Sequence, residues 1–344
     1  MRISEVTGLR RYLLTILVVS FLPEGAVPQQ YVIKFATLAP EGSAWLNGMK
    51  EYDEAVREES GGRLGFRIYG NGVQGDEKVV LRKIRLGQLQ GGGFTGVGMG
   101  EIAPIVRVLD TPFLFRTHAE IDFVHEKFDE QFRNAFQEGG YVLLGWAEVG
   151  FVYLFTNSPV RKPADLHGVK MWGWEDDPIA IAAFKALEVT PIPLSITDVM
   201  ISLQTGLIDG VYASPLAAIV LQWFTRVKYM FDLPLANSSG SVLVSKKMFD
   251  SLPADLQEIL LRNGRKYMAK VTELSRQENE RAIETLKKSG VTIIEPSSEH
   301  AADDYEIIGR TARRLLVGKL FSKEFLMRVE QAVADFEESD RAEE

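Results

Sequence analysis

Aromatic and acidic side chains lie close together in the middle of the chain. Trp172 and Trp174 alternate along a strand-like segment, so both rings can face the same side of it. Acids follow at once at 175–177, and Glu148 lies earlier in the chain, between two predicted strands. Aromatic rings combined with carboxylates can form a cage for an amine or a quaternary ammonium ion. The alternative is structural: the acids would complement the dipole at a helix start, and the tryptophans would pack in the interior.

The sequence has none of the common catalytic or nucleotide-binding motifs. H-E-x-x-H, G-x-S-x-G and G-x-x-x-x-G-K-[ST] are all missing, and no histidine pair has the helical spacing of metal ligands. Gly91, Gly93 and Gly96 match G-x-G-x-x-G, but a helix-like segment precedes them and no helix clearly follows, whereas a dinucleotide fold needs strand, turn and helix. These glycines indicate a backbone that a ligand or another segment approaches closely. We therefore expect no cofactor, no metal and no enzymatic activity.

Composition limits the class of protein further. The chain has 344 residues, of which 46% are hydrophobic and 25% charged, so a globular protein of about two domains is expected. Its net charge of −8 argues against a nucleic-acid partner. The lack of Cys excludes disulfides, thiol nucleophiles and Cys-type zinc sites.

The N-terminus has the pattern of an export signal. Arg2, Arg10 and Arg11 precede an apolar run at 12–22, which is broken by Pro23. That run is shorter than the roughly 20 residues needed to span a bilayer. We therefore predict a signal peptide over 1–26 and a periplasmic mature protein, with an uncleaved anchor as the alternative.

Hydrophobic periodicity predicts strands that alternate with helices, which is typical of an α/β architecture. The predicted strands are 31–38, 64–69, 142–146, 151–156, 169–172 and 241–245, with an extended segment at 190–194. The predicted helices are 44–59, 77–86, 178–187, 195–205, 215–226 and a long amphipathic helix over 256–288. The acid-rich segment 331–344 is expected to fray.

Five phrases, in this order and spacing, resemble one family. They are 36–40 (ATLAP) with Trp45, 75–77 (GDE), 111–115 (TPFLF), 163–170 (PADLHGVK) and 203–211 (LQTGLIDGV). The chain is similar to the extracytoplasmic solute-binding subunit of TRAP (tripartite ATP-independent periplasmic) transporters over about 31–325.

The resemblance implies a two-lobed α/β solute receptor with a hinge and a long C-terminal helix that crosses both lobes. The implied division is 30–149 plus about 237–270 for lobe I, 150–236 plus about 271–330 for lobe II, and 331–344 as an acidic tail. Such a receptor binds a small organic ligand and docks on membrane permease subunits.

The sequence departs from the family at two cationic positions. Members that bind organic acids typically carry an Arg in a Lys-x-Arg strand, where this chain reads Lys170-Met171-Trp172. A second Arg often follows a Gly-Phe pair, where this chain has Val152. Because a buried carboxylate without a charged partner costs several kcal/mol, we expect an apolar or amphipathic ligand instead. The chain looks closer to a branch associated with tetratricopeptide proteins, which implies such a periplasmic partner.

The resemblance also selects the side chains expected to contact the ligand. Tyr212 and Ser214 would orient one polar group of an otherwise apolar molecule. The full predicted set is Trp172, Trp174, Phe151, Val152, Phe94, Thr95, Tyr212, Ser214, Glu148 and Trp45. A receptor for a cationic amine in an aromatic-acidic cage is the second hypothesis. A periplasmic enzyme and a sensory receptor are the alternatives from other classes.

Overall fold

The computed structural model describes residues 30–297 and 301–343. The predicted signal peptide over 1–26 lies outside these residues. Ten strands are described: β1 Tyr31–Ala36, β2 Leu64–Tyr69, β3 Gly91–Thr95, β4 Tyr141–Thr156, β5 Trp172–Trp174, β6 Ile192–Leu194, β7 Gly210–Ala213, β8 Tyr229–Phe231, β9 Ala236–Ser245 and β10 Thr292–Ile294. The described helices are α1 Ala44–Glu59, α2 Glu77–Arg85, α3 Gly96–Gly100, α4 His118–Glu138, α5 Pro178–Ala186, α6 Val199–Thr205, α7 Pro215–Val220, α8 Lys246–Asp250, α9 Ala254–Lys288, α10 Ala301–Leu316 and α11 Lys323–Glu343.

The long strand β4 belongs to both lobes of the fold. The first lobe is built on β2, β1, β3 and β9, in that order, with β9 antiparallel to the first part of β4. The last part of β4 instead pairs with β7 and β8 of the second lobe, and β10 lies beside β8. The two strands predicted at 142–146 and 151–156 are therefore one strand, with register shifts at Leu143/Gly145 and Glu148/Gly150.

Alternating side chains place a core on each face of the first lobe's sheet. Val142 and Leu144 pack with α1 and α9, whereas Tyr141 and Leu143 pack in the core that contains the phenylalanines of α4. The long helix α9 confirms the prediction for 256–288 and contacts α1, β4 and α7. At 35 residues it extends over roughly 50 Å, which is long enough to contact both lobes.

Three predicted elements were wrong in detail. The helix expected over 215–226 ends at Val220 because Gln222 adopts a left-handed conformation, with φ of 60°, and a 3₁₀ segment follows. The Gly-rich segment is itself strand β3, and the short helix α3 follows it. The tail expected to fray continues α11 to Glu343, since Ala332 and Val333 are buried in the core beside α4.

A search of the described residues for membrane spans finds no helix that combines the required length with the required hydrophobicity.

Candidate ligand-binding site

A cavity of about 190 Å³, here called the first cavity, lies between the lobes. The first lobe contributes Thr95, Arg107 and Asp110, and the second contributes most of the aromatic wall. Apolar side chains form much of the rest, including Val152, Leu154, Ile179, Phe184, Leu187, Ile196, Leu221 and Leu235. The cavity therefore presents a small polar region inside a largely apolar enclosure.

The aromatic wall is held in a fixed arrangement. The Trp172 ring stacks on Tyr212, with centroids 4.8 Å apart and planes at 16°, and it makes an edge-to-face contact with Trp223, with centroids 5.3 Å apart. The Trp172 Nε1 donates to the carbonyl oxygen of Leu194 at 3.0 Å, and the Tyr212 hydroxyl accepts from the backbone N–H of Trp174 at 3.1 Å. These bonds fix the rings, so they provide a rigid flat surface at little entropic cost to binding.

Asp76, the N-cap of α2, links the two lobes beside this wall. Its Oδ1 accepts from the backbone N–H of Lys78, which caps the helix. Its Oδ2 accepts from the Trp174 Nε1 at 3.2 Å and from the Ser195 hydroxyl at 2.7 Å. Oδ1 therefore caps a helix within the first lobe, whereas Oδ2 accepts hydrogen bonds from the second lobe across the cleft.

A buried charge cluster forms the polar region of the first cavity. Arg107 donates to Asp177 at 2.7 Å and lies 3.5 Å from Asp110. Burial raises the pKa of Asp110 to about 6, despite the neighbouring Arg107 charge and a hydrogen bond from the backbone of Ser239. Burial alone would lower the pKa of Arg107, but the charges of Asp177 and Asp110 outweigh it and raise it. The guanidinium is thus already paired with two carboxylates.

Close packing explains the glycines around this cluster. A Cβ on Gly96 would collide with the Asp110 carboxylate, and a Cβ on Gly98 would lie 2.7 Å from an oxygen of Glu77. Glu77 accepts from the backbone N–H groups of Thr95 and Gly98, both at 2.7 Å, and burial raises its pKa to about 7. The expected close approach at the Gly-rich segment is therefore made by buried carboxylates of the same chain.

Several buried polar atoms that line the first cavity have no hydrogen-bond partner among the described residues. They are Asp110 Oδ2, Asn237 Oδ1, Arg107 Nε and the hydroxyl oxygen of Tyr305. Asp110 Oδ2 and Asn237 Oδ1 are acceptors. A ligand that donates a hydrogen bond would satisfy them, because unpaired buried polar groups are costly.

A second cavity, of about 140 Å³, adjoins the first. Trp45, Phe94 and Leu216 line it, together with the loop 37–40. Both cavities share a set of wall residues: Thr95, Val149, Ile196, Ser214, Ala217 and Leu221. The two spaces therefore form adjoining parts of one cleft.

Most of the predicted contact residues line this cleft. Trp172, Trp174, Val152 and Tyr212 line the first cavity, Phe94 and Trp45 line the second, and Thr95 and Ser214 line both. Their role in ligand binding stays a prediction. Of the acids at 175–177, Asp177 lines the first cavity, where it also caps α5 as the structural alternative proposed.

Glu148 and Phe151 line neither cavity, which corrects their prediction as cleft residues. The register shift at Glu148/Gly150 changes which face of β4 each side chain occupies, so Val152 and Leu154 face the first cavity and Phe151 does not. Phe151 packs on the His118 ring instead. Glu148 pairs with Arg276 at 2.7 Å; burial would raise its pKa, but bonds from His118 and Arg276 lower it.

Arg107 and Asp110 were missed by the sequence interpretation. They lie in the 3₁₀ segment Pro104–Asp110, where two charges interrupt the apolar run 105–110 (IVRVLD). Charges in such a run are buried only when paired, and this signal could have identified them. Among the described residues, no group of three or more His, Asp or Glu is arranged to hold a metal ion.

Comparison with known proteins identifies the family. The profile of bacterial extracellular solute-binding protein, family 7 (DctP) matches residues 35–315. A solute-binding protein of Verminephrobacter eiseniae is 29% identical over 251 residues, which cover 71% of this chain and 73% of that protein. The 2,3-diketo-L-gulonate-binding periplasmic protein YiaO of Escherichia coli is 26% identical over 275 residues, which cover 78% of this chain and 81% of that protein.

Solved structures share the fold. A TRAP periplasmic solute-binding protein of Haemophilus influenzae with bound L-gulonate has a TM-score of 0.82 at 20% identity, and the match covers 89% of this chain and 99% of that chain. At this identity the likeness shows the fold alone. Together with the profile match, the order of the five motifs and the two-lobed fold show that the chain belongs to family 7 of the bacterial extracellular solute-binding proteins, the DctP family of TRAP receptors, whose members are transport proteins and not enzymes.

Proposed function

We propose that this TRAP receptor binds an amphipathic, mainly apolar organic molecule with a hydrogen-bond-donating head and delivers it to the membrane permease subunits. Family members are periplasmic receptors for small organic ligands. The ligand class, the signal peptide and the tetratricopeptide partner go beyond the family and stay predictions.

One observation carries the ligand class. Trp172 and Val152 occupy the two positions where acid-binding members typically have Arg, and both line the first cavity. Arg107 is the one arginine that lines either cavity among the described residues, and its charge already faces Asp110 and Asp177. A ligand carboxylate would therefore meet an excess of negative charge in a poorly solvated space.

The proposed apolar ligand differs from the charged ligands of two relatives. The Escherichia coli relative is named for 2,3-diketo-L-gulonate, and the Haemophilus influenzae structure contains L-gulonate. Such molecules carry many hydroxyl groups that each need a partner, whereas the first cavity is mainly apolar. We therefore propose that this chain has a different ligand from these two relatives.

The head group is assigned from the free acceptors. Asp110 Oδ2 lies 3.5 Å from Arg107 but has no hydrogen bond, and Asn237 Oδ1 has none either, so both would accept from a hydroxyl or an ammonium group. The excess of one acid over the single cation favours a cationic amine as a second candidate, beside the aromatic rings of Trp172 and Tyr212. In that case Asp177 and Asp110 would provide the acids of the predicted cage.

The first experiment is mass spectrometry of an organic extract from the protein purified without residues 1–26. A stoichiometric lipid-like, aromatic or amine compound is the expected result. Calorimetric titration with L-gulonate serves as the comparison and should show no binding. A polar organic acid recovered at stoichiometry, or tight binding of L-gulonate, would overturn the proposed ligand class.

Binding of an amine should depend on pH through Asp110. Because the pKa of Asp110 is about 6, its carboxylate is mostly protonated one unit below that value and mostly charged one unit above it. Affinity for octylamine should therefore rise about tenfold between about pH 5 and pH 7. Calorimetry at both pH values checks this.

Asp110→Asn is the matched variant, since it keeps the shape and removes the titration. Its affinity should stay level across this range apart from the contribution of Glu77, whose pKa of about 7 lies in the same window. Arg107 and Asp177 face Asp110 in both proteins, and the pKa of Arg107 is raised, so Arg107 keeps its charge across this range. An unchanged pH profile in Asp110→Asn would show that Asp110 does not contact the head group.

A further inference from the structure

Of the predicted contact residues, only Trp45, Phe94, Thr95 and Ser214 line the second cavity. It lies against α7, whose residues Leu216 and Val220 line it but not the first cavity. Ala217 and Leu221, one turn apart, line both. The two cavities therefore lie side by side along α7.

The wall of the second cavity is apolar wherever it is not already paired. Leu38, Pro40 and Trp45 contribute apolar surface. The Ser43 hydroxyl donates to the Pro40 carbonyl at 2.7 Å, and Glu77 accepts from Thr95 and Gly98. These polar groups are therefore satisfied within the protein and do not call for a polar ligand.

Ser275 is the exception. Its side chain is 1% exposed and lines the second cavity, and its hydroxyl oxygen has no hydrogen-bond partner among the described residues. A buried serine within a helix can bond to the backbone carbonyl one turn earlier, but the Ser275 hydroxyl makes no such bond. The unpaired hydroxyl thus marks one point of hydrogen bonding inside an otherwise apolar space.

We infer that the ligand is elongated, that its apolar chain extends past Ala217 into the second cavity, and that one isolated polar atom near its far end bonds to Ser275. This inference rests on the proposed function, because the head must lie at Asp110 and Asn237 in the first cavity. It narrows the ligand class to a linear amphipathic molecule with a polar group at each end.

The test uses n-alkylamines and n-alkanols from four to twelve carbons, measured by calorimetry with the whole mature chain. Affinity of the native protein should rise about fourfold for each added methylene until the second cavity is full. Val220→Phe fills part of that cavity, so the rise should stop several carbons earlier and the longest probes should bind at least tenfold more weakly. Butylamine and butanol should bind both proteins equally.

Ile219→Phe is the matched control, because Ile219 lies on the same helix and lines neither cavity. It should keep the native chain-length profile. If Val220→Phe also keeps that profile while the probes bind, the second cavity does not hold the chain, and the proposed function stands. If no probe of any length binds, the amphipathic ligand itself is wrong.

The polar end is tested with the same amines carrying a terminal hydroxyl. At the chain length where the native profile levels off, the hydroxylated amine should bind at least fivefold more tightly than the plain amine. Ser275→Ala should remove that preference. Ser241→Ala, which removes another buried unpaired hydroxyl outside both cavities, should keep it. Equal preference in the two variants would refute the role of Ser275.

Discussion

Replacing Trp172 with alanine is expected to weaken binding of an apolar ligand by roughly 2–4 kcal/mol, about 30- to 1,000-fold. Trp172 is 1% exposed, lines the first cavity and stacks on Tyr212. Its removal takes away a rigid flat surface and loosens the partner ring. Calorimetry with the co-purified compound, or with octylamine, measures the loss.

Stability must be separated from binding in this experiment. Truncating a buried tryptophan costs about 3–5 kcal/mol, so urea unfolding should accompany each titration. Trp172→Phe keeps an aromatic ring and should lose less affinity than Trp172→Ala. Trp146→Ala, a tryptophan of the first lobe that lines neither cavity, is the control and should bind normally.

Native affinity in a folded Trp172→Ala variant would refute the aromatic wall. Trp172→Arg tests the same position by adding a charge instead of removing a ring. It introduces the cation that the family resemblance implies for acid-binding members at this position, and we expect weak binding of a carboxylate such as L-gulonate to appear.

Replacing Arg107 with methionine should destabilise the protein by about 3–5 kcal/mol. The change leaves Asp110 and Asp177 buried without their cation, and both side chains are less than a tenth exposed. Urea unfolding at neutral pH measures the loss. Lys170→Met, which breaks a half-exposed pair with Asp209, is the control and should cost at most about 1 kcal/mol.

Two further results would identify the cause. The pKa of Asp110 is already raised to about 6 by burial, and loss of the Arg107 charge should raise it further, so the variant should recover more stability than the native protein as the pH falls. Adding Asp110→Asn and Asp177→Asn to Arg107→Met should recover part of the loss at neutral pH. A cost that is independent of both pH and these acids would mean that the guanidinium acts only through packing.

The sequence was sufficient where a local motif fixes the geometry. Trp172, Tyr212 and Ser214 follow recognisable phrases, and each lines the cleft as expected. It was insufficient where geometry depends on register, since a β-bulge turned Phe151 away and left Glu148 in an ion pair with Arg276. No local sequence pattern predicts such a bulge.

Long-range pairing explains the other omissions. Arg107 and Asp177 are 70 positions apart, so their pairing becomes visible only when the lobes come together. The tail from 331 was misjudged because its acids outnumber its apolar residues. Val329, Ala332 and Val333 nevertheless lie at helical spacing, and their burial keeps α11 folded.

The two oxygens of Asp76 have different roles, and this difference matters each time the receptor binds and releases a ligand. When the lobes separate, the bonds from Trp174 and Ser195 to Oδ2 break, whereas the cap on α2 depends on Oδ1 and can remain. The bonds of Oδ2 across the cleft can therefore break without removing the N-cap of α2. A receptor built in this way can cycle many times without fraying α2, since each opening leaves the helical start intact for the next closure.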